Sequence, residues 1–489
     1  MRRPPSNVGR QRGAILMTTI WIVLFLASLV LVFARSARTD LAICANQVAL
    51  VQASSVERSA EQYVLQLIEQ QKETVLTLAE SYFAAIQVTG GYFWILRPDY
   101  GDTYFPFFGL VDEGGKVNLN TANASMLRAL PGLDSEIAAS IVDWRDADSE
   151  PTDGGAEDEY YLALPRPYRT KNAPFETIEE LLMVKGVKAE LLYGSGVGSR
   201  YGADPNWASG FGSNVKADLQ LSRGIYDDLT IYSKEATAAA GGTDTAAGGA
   251  GGRGGDVGVP AGPQPPVQSG GGGGGGAGGQ VDVNDENTRP VLDLLAEALD
   301  ESRADALRPR VAPRPPFRDV FDFGVRLGLT GTEFDAIAAR ITTGGRAPTQ
   351  GLINVLTAPR EVLLCLPDMT DSDVSELISQ RTTAVTSGTT TLGWVLDALK
   401  EKSVGLANQI TTKSSVFSAD LLAVNENGRA FRRSRVVFDA RTSPPKIIFR
   451  RSLGEAGWPL DPSLLLSLRQ GLGVPAGYSM TGSGMGGGL

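Results

Sequence analysis

Apolar and polar residues alternate along this chain in several distinct regimes. Residues 14–34 contain no charge, and a helix of that length rises about 31 Å, enough to cross a hydrocarbon core. Beyond it, apolar residues return at three- and four-residue steps: Leu41, Cys44, Val48 and Val51, then Val64, Leu67 and Ile68, then Val75 and Leu78. No Pro or Gly interrupts residues 35–89, and Gly90-Gly91 supplies a stop. The pattern predicts one long helix, apolar all round at first and amphipathic afterwards. Aromatic-rich runs at 92–96 and 104–111, with Pro98-Asp-Tyr-Gly101 between them, predict strand, turn and strand. Pro106 places the second run at an edge or a bulge.

A repeat follows. Val117-Asn-Leu-Asn-Thr-Ala122, then Leu127, Leu130-Pro-Gly-Leu133, Ile141-Val142 and Arg145, recurs 236 positions later. The second copy reads Ile353-Asn-Val-Leu-Thr-Ala358, Leu363, Leu366-Pro-Asp-Met369, Leu377-Ile378 and Arg381. Each copy predicts a helix, a tight turn and a second helix, and Val184-Lys-Gly-Val187 begins another such turn. Residues 227–233 read as a short strand. Residues 241–279 hold 19 of the 58 glycines and no aromatic, so they predict a flexible linker. Residues 291–307 predict a helix, 309–316 an extended basic spacer, and 319–341 one or two helices. Runs at 415–424 and 430–438 flank the turn Asn425-Glu-Asn-Gly428 and predict a hairpin, with 446–450 as a third strand. Residues 479–489 read as a loose tail.

Composition narrows the chemistry. With 489 residues the chain has room for two or three domains, and its 42% hydrophobic share suits globular material plus one membrane helix. The formal charge is −10, which disfavours a phosphate-binding surface, and no histidine exists for triads or metal ligation. Cys44 and Cys365 are too few for a disulfide framework. No nucleophile motif is assembled, so no enzyme is expected. Between Asp143 and Glu159 stand eight Asp or Glu residues against the single Arg145. Asp146, Asp148, Glu150, Thr152, Gly154 and Glu157 fall at positions 1, 3, 5, 7, 9 and 12 of a twelve-residue loop, the offsets of an EF-hand, although Pro151 stands where its turn wants Gly. This run is either a solvated acidic loop or a site for a hard divalent cation.

The N-terminal flank carries Arg2, Arg3, Arg10 and Arg12 without an acid, which keeps that end cytoplasmic. Gly13 sits at the basic-to-apolar junction. That arrangement resembles a type IV prepilin leader, cut between Gly13 and Ala14 with methylation of the new terminus; a plain signal anchor needs no Gly there. Thr18 occupies the fifth mature position, where most pilin-like subunits carry Glu. The leader, the Asn-Thr-Ala hairpins, the acidic run and Asn172-Ala-Pro-Phe175 together resemble the K-type minor pseudopilins of type II secretion.

The resemblance implies an α+β fold. A long N-terminal transmembrane helix packs on a small antiparallel sheet, pilin-like, with an inserted all-helical domain of helix-hairpin-helix (SAM-like) units. It divides the chain into a leader 1–13, a transmembrane part 14–34, stalk and first strands 35–115, a first helix-hairpin-helix domain with the acidic loop 116–225, and a strand 226–235. The Gly-rich linker 236–290 and a helical insertion of unknown purpose 291–350 depart from the family pattern, and a second helix-hairpin-helix unit 351–405, C-terminal strands 406–452 and a tail 453–489 follow. It further implies a place at the pseudopilus tip, where the subunit starts assembly with the I- and J-type and major pseudopilins and supports export. Other expected partners are the prepilin peptidase, the inner-membrane platform and the secretin, with the chain's bulk periplasmic and the inner membrane as its anchor. Structural calcium is implied, with Asp146, Asp148, Glu157 and Asp158, then Glu150 and Asn172, as ligands. The alternative is a membrane-anchored, competence-type helix-hairpin-helix protein that binds DNA; Asp134, Glu136, Asp368, Asp371 and Asp373 around the turns oppose it, and no nucleic acid is expected.

Overall fold

The computed structural model describes residues 9–71, 74–97, 107–194, 224–234, 280–311, 316–344, 351–387 and 391–475. The linker 241–279, the leader's first residues, Pro106 and the end 479–489 lie outside them. Helix α1 (Gly9–Gln70) leads into β1 (Ile86–Val88), β2 (Gly91–Arg97), β3 (Phe107–Phe108) and β4 (Val111–Asp112). Three helical units come next among the described residues. The first runs from β5 (Val117–Asn118) through α2 (Ala124–Arg128), α3 (Ser135–Arg145), α4 (Asp158–Leu162) and α5 (Ala189–Tyr193) to β6 (Leu229–Thr230). The second runs from β7 (Val281–Asp282) through α6 (Arg289–Ala298), α7 (Glu301–Val311), α8 (Val320–Leu327) and α9 (Gly331–Ala338) to β8 (Ile341–Thr342). The third runs from β9 (Ile353–Asn354) through α10 (Arg360–Leu363), α11 (Asp371–Thr386) and α12 (Gly393–Leu399) to β10 (Ile410–Thr411). Strands β11 (Val416–Asn425), β12 (Phe431–Asp439) and β13 (Lys446–Ser452) and helix α13 (Pro462–Arg469) follow.

The main sheet has the order β1-β2-β11-β12-β13, with β3 on β2 and β4 on β11, all antiparallel. The predicted hairpin is β11–β12, in register from Val416 opposite Asp439 to Val424 opposite Phe431. Successive side chains leave a strand on opposite faces. Phe93 and Ile95 of β2, Phe417, Ala419, Leu421 and Ala423 of β11, and Val436 and Phe438 of β12 meet Val56, Ala60, Val64 and Ile68 of α1. Trp94, Leu96, Leu422 and Val424 point to the other face, where Leu464 and Leu468 of α13 cover them. Both faces are closed, and for that reason every residue of β11 is buried. Ion pairs add direction: Arg432 Nε donates to Glu57 Oε2 at 2.7 Å, and Arg450 pairs with Glu61 one turn further along α1.

Three boundaries differ from the sequence pattern. Helix α1 ends at Gln70, not near Thr89, and short 3-10 turns (Val75–Thr77, Glu80–Tyr82) lead into β1. A helix continued to Thr89 would carry Val75 about 8 Å and Phe83 about 20 Å past Gln70. Folding back buries both in the helix–sheet core and pairs Ile86 with Phe93. The expected spacer at 309–316 is helical as far as Val311, because Ala304, Leu307 and Val311 keep one buried face across Pro309. The tail 453–489 includes α13, whose leucines cap the second sheet face.

Each helical unit closes in the same way, through a two-residue parallel bridge between its first and last strands: β5–β6, β7–β8 and β9–β10. In each, the Asx side chain on the first strand accepts from the amide two residues on: Asn118 from Asn120 at 2.8 Å, Asp282 from Asn284 at 2.9 Å, Asn354 from Leu356 at 3.0 Å. The stretch read as an insertion of unknown purpose therefore contains the same closure as its neighbours. A shared apolar core runs through all three units. Buried polar groups join them to the sheet. Asp112 accepts from Asn354 Nδ2 (2.8 Å), Thr357 Oγ1 (2.7 Å) and Ser414 Oγ (2.7 Å), and Glu113 meets Lys116, Ser418 and Thr230.

Candidate metal centre

The acidic loop hangs from the C-terminus of α3. Arg145 ends that helix and sends its guanidinium back to the carbonyls of Leu119 and Ala122, fixing where the loop starts. Asp143, fully buried, is the post around which the loop folds. Its carboxylate accepts from Thr152 Oγ1 at 2.7 Å and from the Ala156 amide at 2.8 Å. The chain passes so close that a Cβ on Gly155 would lie 1.9 Å from Asp143 Oδ2. From the other side Lys185 Nζ, in the Val-Lys-Gly turn, donates to the carbonyls of Gly154 and Gly155 at 3.1 and 3.3 Å. Beneath lie the rings of Trp144, Tyr161 and Tyr168, in edge-to-face and tilted contact at 5.3–6.2 Å.

This frame brings together Asp146, Asp148 and Glu157, whose ligand oxygens lie within 4.8 Å of one another. Glu157 is buried, stands before the first residue of α4, and does not cap it. Both Glu157 oxygens and Asp146 Oδ1 are buried without a hydrogen-bond partner. Asn172 meets the loop at Asp148. It sits in the left-handed region (φ 46°), donates its backbone N–H to Trp144 O at 3.1 Å and its Nδ2 to Asp148 O at 2.6 Å, and leaves Oδ1 buried and unpartnered. Burial raises the pKa of Asp146, and Asp148 and Asp143 add to it. Burial likewise raises Glu157; the nearby Thr170 hydroxyl works against the shift, and Asp143, Asp146 and Asp148 reinforce it. Unpaired buried carboxylates are costly, and hard oxygens so placed suit a cation such as calcium rather than a soft metal.

The remaining predicted ligands stand differently. Asp158 Oδ1 accepts from the Thr170 amide at 2.8 Å and so ties α4 to the chain that follows it. Glu150 is exposed, outside the three-carboxylate group, and its amide donates to Asp148 Oδ1 at 3.0 Å. Thr152, at the seventh EF-hand offset, turns to Asp143 instead. Sequence spacing missed Asp143 and Lys185; Gly155, obligatory beside a buried Asp, was the signal available. Gly13 and Ala14 both lie within α1. In the second hairpin, Asp371 and Asp373 are engaged by Arg360 and Lys402, each at 2.6 Å.

The chain has one described helix long and apolar enough to cross a membrane. Residues 115–193 match the family described as "Type II secretion system (T2SS), protein K". A type II secretion system protein K of Pectobacterium carotovorum subsp. carotovorum is 48% identical over 56 residues, 12% of this chain and 17% of that protein. One from Klebsiella pneumoniae is 37% identical over 73 residues, 15% of this chain and 21% of that protein. The matches thus span about a fifth of these relatives' lengths or less. Among solved structures, a chain of the GspK-GspI-GspJ complex from enterotoxigenic Escherichia coli aligns over 85% of this chain and 98% of its own, at 14% identity and a TM-score of 0.32. Residues 115–193, which carry the acidic loop, are thus the part of the chain that is similar to the type II secretion system protein K family.

Proposed function

We propose that this chain is the K-type minor pseudopilin at the tip of a type II secretion pseudopilus, a structural part and not an enzyme. The observation that carries the reading is the family match over 115–193, whose loop is built around three facing carboxylates. After cleavage between Gly13 and Ala14 by a prepilin peptidase, residues 14–34 anchor the subunit in the inner membrane and its bulk lies in the periplasm. Helix α1 on its sheet is the pilin-like body, and the units at 116–225 and 351–405 are helix-hairpin-helix modules used as scaffold. With Thr18 in place of the usual Glu, the subunit has nothing above it and joins I- and J-type subunits to begin assembly on the inner-membrane platform, below the secretin. Calcium is held by Asp146, Asp148, Glu157 and the Asn172 carbonyl, and it ties the loop down. Co-expression with the I- and J-type and major pseudopilins tests the role. A defined K–I–J complex in few copies per filament supports it, and many copies along the filament, or secretion unchanged on deletion, would refute it.

A further inference from the structure

The second unit copies more than a closing bridge. In the first unit, the Asn120 side chain brackets the backbone of Phe175, accepting from its N–H at 2.7 Å and donating to its carbonyl at 3.0 Å. In the second, Asn284 brackets Phe317 with the same two bonds at 2.7 and 3.0 Å. Both phenylalanines are buried and follow a proline. After each comes a helical turn and then a left-handed glycine, Gly186 (φ 83°) or Gly328 (φ 68°), before the next helix. Residues 281–342 are thus a copy of the unit in which little of the sequence survives.

Its seat on the third unit is reciprocal. Helices α9 and α12 cross at their first residues, and both read Gly-x3-Asp, Gly331 to Asp335 and Gly393 to Asp397. The Gly331 N–H donates to Asp397 Oδ1 at 2.8 Å, while the Gly393 N–H donates to Asp335 Oδ1 at 2.7 Å. Each glycine abuts the other's backbone. A Cβ on Gly331 would lie 2.5 Å from Gly393 O, and one on Gly393 would lie 2.1 Å from Gly331 O. Asp319 Oδ2 adds a bond from the Gly405 N–H at 2.6 Å, and a Cβ on Gly324 would already touch Leu396 at 3.1 Å. Elsewhere the second unit has nothing apolar to offer: among its described residues no large hydrophobic side chain is exposed.

We propose that residues 281–342 are an internal partner, a third copy of the unit whose docking surface is the α9 helix start and whose occupant is the matching start of α12. The contact covers that face of the third unit, so other subunits meet this chain elsewhere. The two halves of such a contact form and break together. In full-length protein in detergent, Gly331→Leu and Gly393→Leu, each substituted alone, should speed amide exchange in both α9 and α12, with β11 and β12 still protected. Losing one of the two bonds weakens the closed state about tenfold. Asp335→Ala and Asp397→Ala decide the matter if the leucines disrupt the whole chain. Each should open both helices, and the double variant should open both further, by about the product of the two single effects. Asp335→Asn, which keeps the acceptor, should recover most of the protection. Exchange that rises in only one helix, or aspartate variants in which both helices stay as protected as in the parent, would overturn the proposal.

Discussion

Chelation of calcium should lower the melting temperature of the parent and leave that of a ligand variant alone. The loop places three carboxylates within 4.8 Å of one another, with both Glu157 oxygens buried and unpaired. A ligand that binds only the folded state stabilises it by about 2.7 kcal/mol at a hundred times its dissociation constant. For a cooperative unit of 150–250 residues each kcal/mol moves the midpoint about 2–4 °C, so the chelator should cost about 5–11 °C. Glu157→Gln and Asp146→Asn should melt in chelator no lower than the parent, because they remove buried like charges, and should gain little when calcium returns. Asn172→Gly isolates the fourth oxygen. Glycine accepts the left-handed backbone at this position, so the variant should fold and bind calcium more weakly. Differential scanning calorimetry with and without chelator, and titration calorimetry on each variant, give both numbers. A parent indifferent to chelator, or a Glu157→Gln protein that gains as much from calcium as the parent, would refute the assignment.

N-terminal sequencing of the membrane-extracted protein should begin at Ala14, and a bulky residue at Gly13 should leave the leader attached. Gly155→Ala should abolish calcium binding with the sheet intact, since its methyl would lie 1.9 Å from Asp143 Oδ2; a calcium titration beside circular dichroism separates the two effects. Trp94→Ala, at a fully buried ring edge-to-face with Trp458, should cost about 3–5 kcal/mol in denaturant unfolding. Asp373 is held at about 2 by Lys402 and the Thr370 cap. Its stabilisation is therefore present above its unfolded value near 4 and is lost as pH falls from about 4 to 2. Asp373→Asn should flatten that part of the acid-unfolding curve, by a small amount because the pair lies at the surface.

The β11–β12 hairpin was legible because alternation and an Asn-Gly turn act locally. The end of α1 was not, because Val75 and Phe83 leave the helix for a core that exists only once the sheet has formed. Eight acids in seventeen residues announced the loop, and spacing put Asp146, Asp148 and Glu157 at ligand offsets together with Glu150, Thr152 and Gly154, which stand outside the three-carboxylate group. Spacing could not reveal Asp143 as the post, because its partners are a threonine hydroxyl and backbone amides nine to thirteen residues away. The second unit escaped notice because its turn lacks the Leu-Pro-Gly signature, and its bridges of two residues leave no run for periodicity to detect.

Helix α1 is continuous for 62 residues, and two ion pairs and an apolar seam fix its far half to the sheet. In the proposed membrane-anchored subunit it works as a lever whose fulcrum is the bilayer surface. Between Ala34 and Gln70 the arm is about 54 Å long, so a tilt of about 5° at the bilayer sweeps its outer end through about 5 Å. A push or twist applied to the buried end reaches the sheet, and the units joined to it through Asp112 and Glu113, as displacement and not as bending.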